Sequence, residues 1–152
     1  MKNFRAIIFG SIGTIVETSD IQRKSFNKAF KKFSLDWYWS INEYKKLLEM
    51  SGGENRLSNY AKTKNTKINT LKLRNSKTKF FNIYLKKNKL KPRAGVTNII
   101  KFCKKNNIKL GFASSTSINN INSIFFSLKN IIKKEDFDFI GSSKLVSRKK
   151  PY

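Results

Sequence analysis

The sequence predicts an α/β fold, with a parallel sheet of three short strands and a long helical stretch after the first. Three observations predict it. Arg5 to Phe9, Ile108 to Ala113 and Phe137 to Ile140 are short apolar runs bounded by Gly, Ser or charged residues, as expected of strands buried in a parallel sheet. Helical patterns fill the intervals between them. Pro92 with Gly95 then punctuates the return of the chain to the second run.

The elements follow in order. After the first strand, Ile21, Phe26, Ala29, Phe30 and Phe33 recur near helical spacing. Ser40 with Glu43 is a capping-box signature ahead of Tyr44, Leu47 and Leu48. A third helical stretch runs roughly from Ile68 through Leu71, Phe80, Phe81 and Tyr84. Helices near Val96 to Asn106 and Ser117 to Leu128 are the crossovers that make the three strands parallel and adjacent.

Composition bounds the function. With 152 residues and 39% apolar side chains the chain can pack an interior. Its longest nearly apolar stretch, Ala6 to Val16, falls short of the roughly 20 residues a spanning helix needs, so no membrane segment is expected. The amino terminus leads almost directly into the first strand and leaves no room for a secretory leader, so a cytoplasmic location is expected. Histidine is absent and Cys103 is the lone cysteine, which excludes the usual zinc sites and makes Cys103 a packing residue. Only oxygen-ligand metals fit such a composition.

The net charge is +24, from 33 basic and 9 acidic residues. Such a balance ordinarily suggests nucleic acid or an anionic surface. Yet 27 of the basic residues are Lys, and 17 Asn and 17 Ile accompany them, all residues favoured by A+T-rich codons. Genome composition can generate this charge without selection for a partner. A solvated surface is therefore the reading here, with no specific nucleic acid as partner and only salt-sensitive, sequence-independent binding. Base stacking by Trp37, Tyr38 and Trp39 would be the alternative of a basic nucleic-acid-binding module.

The most informative segment is Phe9-Gly10-Ser11-Ile12-Gly13-Thr14, directly after Ala6-Ile7-Ile8. It resembles the first motif of the haloacid dehalogenase (HAD) superfamily, Asp-x-Asp-Gly-Thr, with Gly10 and Ile12 where the two aspartates stand. Further segments resemble the CbbY-type, beta-phosphoglucomutase-like branch in order along the whole chain. Glu17-Thr18 and Gln22-Arg23-Lys24-Ser25-Phe26-Asn27 match an acidic-Thr pair and His-Arg-x-Ala-Phe-Asn, with Gln22 in place of the histidine. Asp36-Trp37-Tyr38-Trp39, Gly52-Gly53-Glu54-Asn55-Arg56-Leu57, Lys77-Thr78 and Arg93-Ala94-Gly95-Val96 match later segments. Leu110 to Ser117 resembles the second motif, and Phe137 to Ile140 with Lys149-Lys150-Pro151 the third.

The resemblance implies a HAD-like, Rossmannoid core at 1–15 and 93–152 and a helical cap at 16–92. It implies Ser114 and Lys150 as phosphate-binding residues, and Thr18, Gln22, Arg23, Arg56 and Lys77 as candidate cap contacts to a sugar phosphate. Ligands in such sheets bind beyond the carboxyl ends of the strands, where Gly10 to Thr14, Ser114 and Lys150 all fall. Active relatives use magnesium, a nucleophilic carboxylate and a second carboxylate as general acid and base. Gly10 has no side chain and Ile12 cannot move a proton, so no intact catalytic residue, no metal and no cofactor are expected.

The family continues past Tyr152 into a strand bearing further magnesium ligands, so the resemblance implies a core truncated before the fourth motif. Its first strand would then be an exposed apolar edge, to be covered by a protein partner or by the rest of a longer chain. The opposing reading is an active magnesium-dependent phosphatase using Glu17 or Asp20 as substitute carboxylate.

Overall fold

The structure is a computed structural model, and it describes residues 4–10, 12–50, 52–142 and 145. They divide into two compact units, one formed by 1–18 with 85–152 and the other by 19–84. No helix among the described residues is long and apolar enough to cross a membrane.

The first unit is built on strands β1 (Ala6–Phe9), β2 (Lys109–Ala113) and β3 (Phe139–Gly141). They pair in parallel in the order β1-β2-β3, with Phe9 opposite Phe112 and Phe112 opposite Ile140. The three strands therefore end within one residue of one another, and the residues that follow emerge along one rim. The α/β fold expected from the apolar runs is thus present. Helix α1 (Ile12–Ile15) is a single turn directly after β1. Helices α6 (Val96–Lys105) and α7 (Ile118–Leu128) are the two crossovers, and a 3₁₀ turn at Lys134–Asp136 precedes β3.

Burial explains this layering. Leu110 and Phe112 of β2, Ile121, Phe125 and Leu128 of α7, and Ile132 and Phe137 form an apolar interior, with Phe112 and Phe125 edge to face at 5.6 Å. Cys103 is fully buried on α6, the packing position expected for it. Ser117 caps α7 by accepting the Asn120 backbone N–H at 3.4 Å. Among the described residues β1 pairs on one side only, and its Ile8 is 62% exposed.

The second unit is helical: α2 (Ser19–Lys32), α3 (Ile41–Leu47), α4 (Gly53–Thr63) and most of α5 (Thr70–Lys87). The capping box at α3 is formed, with Ser40 Oγ accepting from the Glu43 N–H at 3.2 Å and Glu43 Oε2 from the Ser40 N–H at 3.0 Å. An aromatic cluster forms the core. Trp39 is fully buried, 4.7 Å from the Phe26 ring and 4.8 Å from Phe30. Asn27 fixes it from α2, donating to the Trp39 carbonyl at 3.0 Å and accepting from the Trp39 N–H at 2.9 Å. Such a bridge satisfies two buried backbone groups that lie outside any helix or sheet.

Candidate phosphate site and the family of the chain

The rim at the ends of the strands is where the sequence places an anion. Gly10 follows β1, Ser114 follows β2 and Ser142 follows β3. Ser114 extends the ladder by donating its N–H to the Gly141 carbonyl at 3.0 Å, and its Oγ accepts from the Thr116 N–H at 3.3 Å. The hydroxyl oxygen thus organises its own turn, while the cap of α7 belongs to Ser117. Lys149, Lys150 and Pro151 lie outside the described residues, so the third-motif lysine has no placement here. Ser11 lies outside them as well.

Ile12 occupies the second carboxylate position of the first motif and faces apolar neighbours. It lines a gap of about 10 Å³ with Ile15, Phe112, Ile121, Ile124 and Phe125. The position has become a packing position. Arg93 holds the following turn from across the chain: its N–H donates to the Ile15 carbonyl at 2.8 Å, Nε to the Gly13 carbonyl at 2.6 Å and Nη2 to Glu17 Oε2 at 2.5 Å. The sequence located Arg93 in a motif without revealing this role, because its partners lie some 80 residues away in the chain.

Magnesium needs several oxygen ligands, carboxylates foremost. Gly10, Ile12, Ser114 and Ser142 at the rim supply hydroxyl and backbone oxygens but no carboxylate. Among the described residues no three His, Cys, Asp or Glu side chains converge. The donor set described here does not fit the magnesium that the resemblance implies, and no step is derived through it.

The substitute carboxylates are both engaged. Glu17 pairs with Arg93, and Asp20 pairs with Arg23 at 2.7 Å and Lys24 at 2.8 Å. Hydrogen bonds from Lys24 and then Arg23 hold the Asp20 carboxyl below its usual range, which weakens it as a nucleophile.

The remaining candidates fall into separate settings. Thr18, in the first unit, is buried. In the helical unit, Lys77 Nζ donates to Gln22 Oε1 at 2.7 Å and lies 4.9 Å and 4.8 Å from the ring centroids of Phe26 and Phe81. Burial, with the positive charges of Arg56 and Arg74, lowers the Lys77 pKa to about 7. Burial thus disfavours the charged ammonium, and an arriving anion would favour it.

Arg56, read by resemblance as a ligand contact, is instead directed inward. Its Nε donates to the Leu47 carbonyl at 2.6 Å and Nη2 to the Met50 carbonyl at 2.9 Å, and it is 6% exposed. It braces the turn between α3 and α4, and burial lowers its pKa. Arg23 is braced likewise, on Asp20 and on the Trp39 carbonyl at 3.1 Å. Gln22 and Lys77 are therefore brought together, whereas the guanidinium of Arg23 has other partners.

Comparison with known proteins identifies the fold and the family. The family model "Haloacid dehalogenase-like hydrolase" matches residues 7–152. The protein CbbY of Cereibacter sphaeroides is 28% identical over 149 residues, covering 96% of this chain and 65% of that protein. The chain therefore spans about two thirds of the length of this relative. A crystal structure of a mutant CbbY from Rhodobacter sphaeroides in complex with xylulose-(1,5)bisphosphate superimposes with a TM-score of 0.86 at 28% identity, covering 98% of this chain and 68% of that one. A beta-phosphoglucomutase from Clostridium difficile shares the fold, with a TM-score of 0.76 at 22% identity over 99% of this chain and 66% of that one. With its three parallel strands, its motifs in order and these likenesses, of which the CbbY proteins are the more similar in sequence, the chain belongs to the haloacid dehalogenase-like hydrolases.

Proposed function

We propose that this chain recognises a phosphorylated small molecule, a sugar phosphate in the first instance, without hydrolysing it. One observation carries the reading. The two positions of the first motif that would bear the nucleophile and the acid/base group are a glycine and an isoleucine, and the isoleucine packs against Phe112 and Ile121. Losing such a unit costs roughly 10⁴-fold or more in rate. What remains suits binding. The Ser114 hydroxyl and Lys150 offer charge-assisted hydrogen bonds to phosphate oxygens, and Gln22 and Lys77 are the polar pair of the helical unit. The crystallised CbbY holds a sugar bisphosphate, which supports choosing that ligand class first.

The division into core at 1–15 and 93–152 and cap at 16–92 belongs to this proposal. Calorimetric titration of the full chain with xylulose 1,5-bisphosphate and with inorganic phosphate, with released phosphate followed in the same samples, tests it. Saturable binding without phosphate release is expected. Ser114→Ala should weaken it about tenfold or more, the value of a hydrogen bond to a charged group. Release of phosphate by the unaltered chain, or absence of binding, contradicts the proposal.

A further inference from the structure

We propose that an open groove of the helical unit, between α2 and the segment 35–38, binds single-stranded nucleic acid, with phosphates on Lys24, Lys28 and Lys31 and a base on Tyr38. The groove has a volume of about 710 Å³, and these four residues line it together with Arg23 and Tyr84. None of them except Arg23 is among the candidate sugar-phosphate contacts. The inference thus extends beyond the proposed function and does not rest on it.

Two independent features meet in this groove. The three lysines recur at i, i+4 and i+7 of α2, so they share one side of the helix at one cation per turn, about 5–6 Å apart. Phe26, Ala29 and Phe30 occupy the buried side. Asp20 takes up part of the charge at Arg23 and Lys24, while no ion pair among the described residues reaches Lys28 or Lys31. Among the described residues Asp36 is the only carboxylate lining the groove, against four cations.

The second feature is the tyrosine. Residues 37 to 39 alternate: Trp37 and Trp39 are 6% and 0% exposed, whereas Tyr38 is 64% exposed. Neither tryptophan can present its face to a base, which corrects the idea that all three aromatics stack. Tyr38 can. A row of cations beside an exposed aromatic face is the arrangement by which single strands are held, the backbone following the charge and a base stacking on the ring. A small anion would need neither the ring nor a row two turns long. The lysine content of the whole chain accounts for the net charge but does not place an aromatic face among the cations.

Fluorescence anisotropy with a labelled short oligo(dT) and the full chain decides the matter. At about 150 mM salt, where surface charges are screened beyond roughly 8 Å, binding should persist. Lys28→Gln with Lys31→Gln should lower the slope of log affinity against log salt by about 1.4, at 0.7 per lost phosphate contact. Lys101→Gln with Lys105→Gln on α6 removes the same charge from another exposed surface and should change affinity by less than about twofold if contacts are local.

Tyr38→Leu keeps every charge and should weaken binding about fivefold or more, while Tyr38→Phe should retain it. Equal losses from the two lysine pairs would overturn the proposal, leaving only the attraction of a basic protein for a polyanion. Unchanged binding by Tyr38→Leu, or equal affinity for duplex DNA or inorganic polyphosphate, would overturn it too.

Discussion

Replacing Lys77 by Met removes an ammonium group buried among Phe26 and Phe81 and keeps most of the side-chain volume. Burial lowers the pKa of this group from 10.5 to about 7. The unfolded chain holds the proton up to its ordinary pKa, while the folded chain holds it only below about 7. The unfolded state therefore binds more protons between those values, so the wild-type protein gains stability as pH rises through that window and carries the full cost below it.

Three and a half units correspond to roughly 5 kcal/mol at acid pH, taken as an order of magnitude. The stability difference between Lys77→Met and wild type should therefore move against the variant by about 2–3 kcal/mol between about pH 6 and about pH 9. Loss of the hydrogen bond to Gln22 adds an offset independent of pH. Taking the difference also cancels the repulsion among the other lysines. Urea unfolding at several pH values measures it, and a difference that stays flat across the window would refute the argument.

Further predictions follow from the same reasoning. Asn27→Ala leaves the buried Trp39 N–H without its partner, while the Trp39 carbonyl keeps the Arg23 guanidinium, and should cost about 1–3 kcal/mol in urea unfolding. Ile12→Asp sets a carboxylate against the apolar wall of Phe112 and Ile121 and should cost about 1–3 kcal/mol at neutral pH, with part of the loss recovered at acid pH as the group protonates. Arg93→Met removes an exposed ion pair and should change stability by about 1 kcal/mol or less, while raising hydrogen exchange of the turn at Gly13 to Glu17.

Much of the fold was legible because apolar periodicity and turn residues agree along this chain. The three strands, the capping box at Ser40 and Glu43 and both crossovers lie within a few residues of where the pattern put them. Helix α4 was not legible. Gly52 to Leu57 was read only as a family segment, with no helix assigned, yet Gly52 adopts φ +85° just ahead of the helix and Gly53 is its first residue. Leu57 and Ala61 are its sparse apolar face.

In the site, local spacing located residues but could not reveal partners distant in sequence. Arg93 meets Glu17 and Gly13, and Lys77 meets Gln22, through pairings that no period predicts. Arg56 shows the opposite limit. Its motif suggested a ligand, whereas its geometry spends the guanidinium donors on the Leu47 and Met50 carbonyls. The outward turn of Tyr38 between two buried tryptophans was not legible in a run of three aromatics, and became meaningful only beside the lysines of α2.

The most direct test of the central claim is hydrolysis of para-nitrophenyl phosphate with and without magnesium, by the unaltered chain and by Gly10→Asp with Ile12→Asp. Recognition without hydrolysis predicts no magnesium-dependent turnover by the unaltered chain. Turnover by that chain, abolished by substituting Glu17 or Asp20, would contradict the account and place catalysis on a carboxylate that here serves an ion pair.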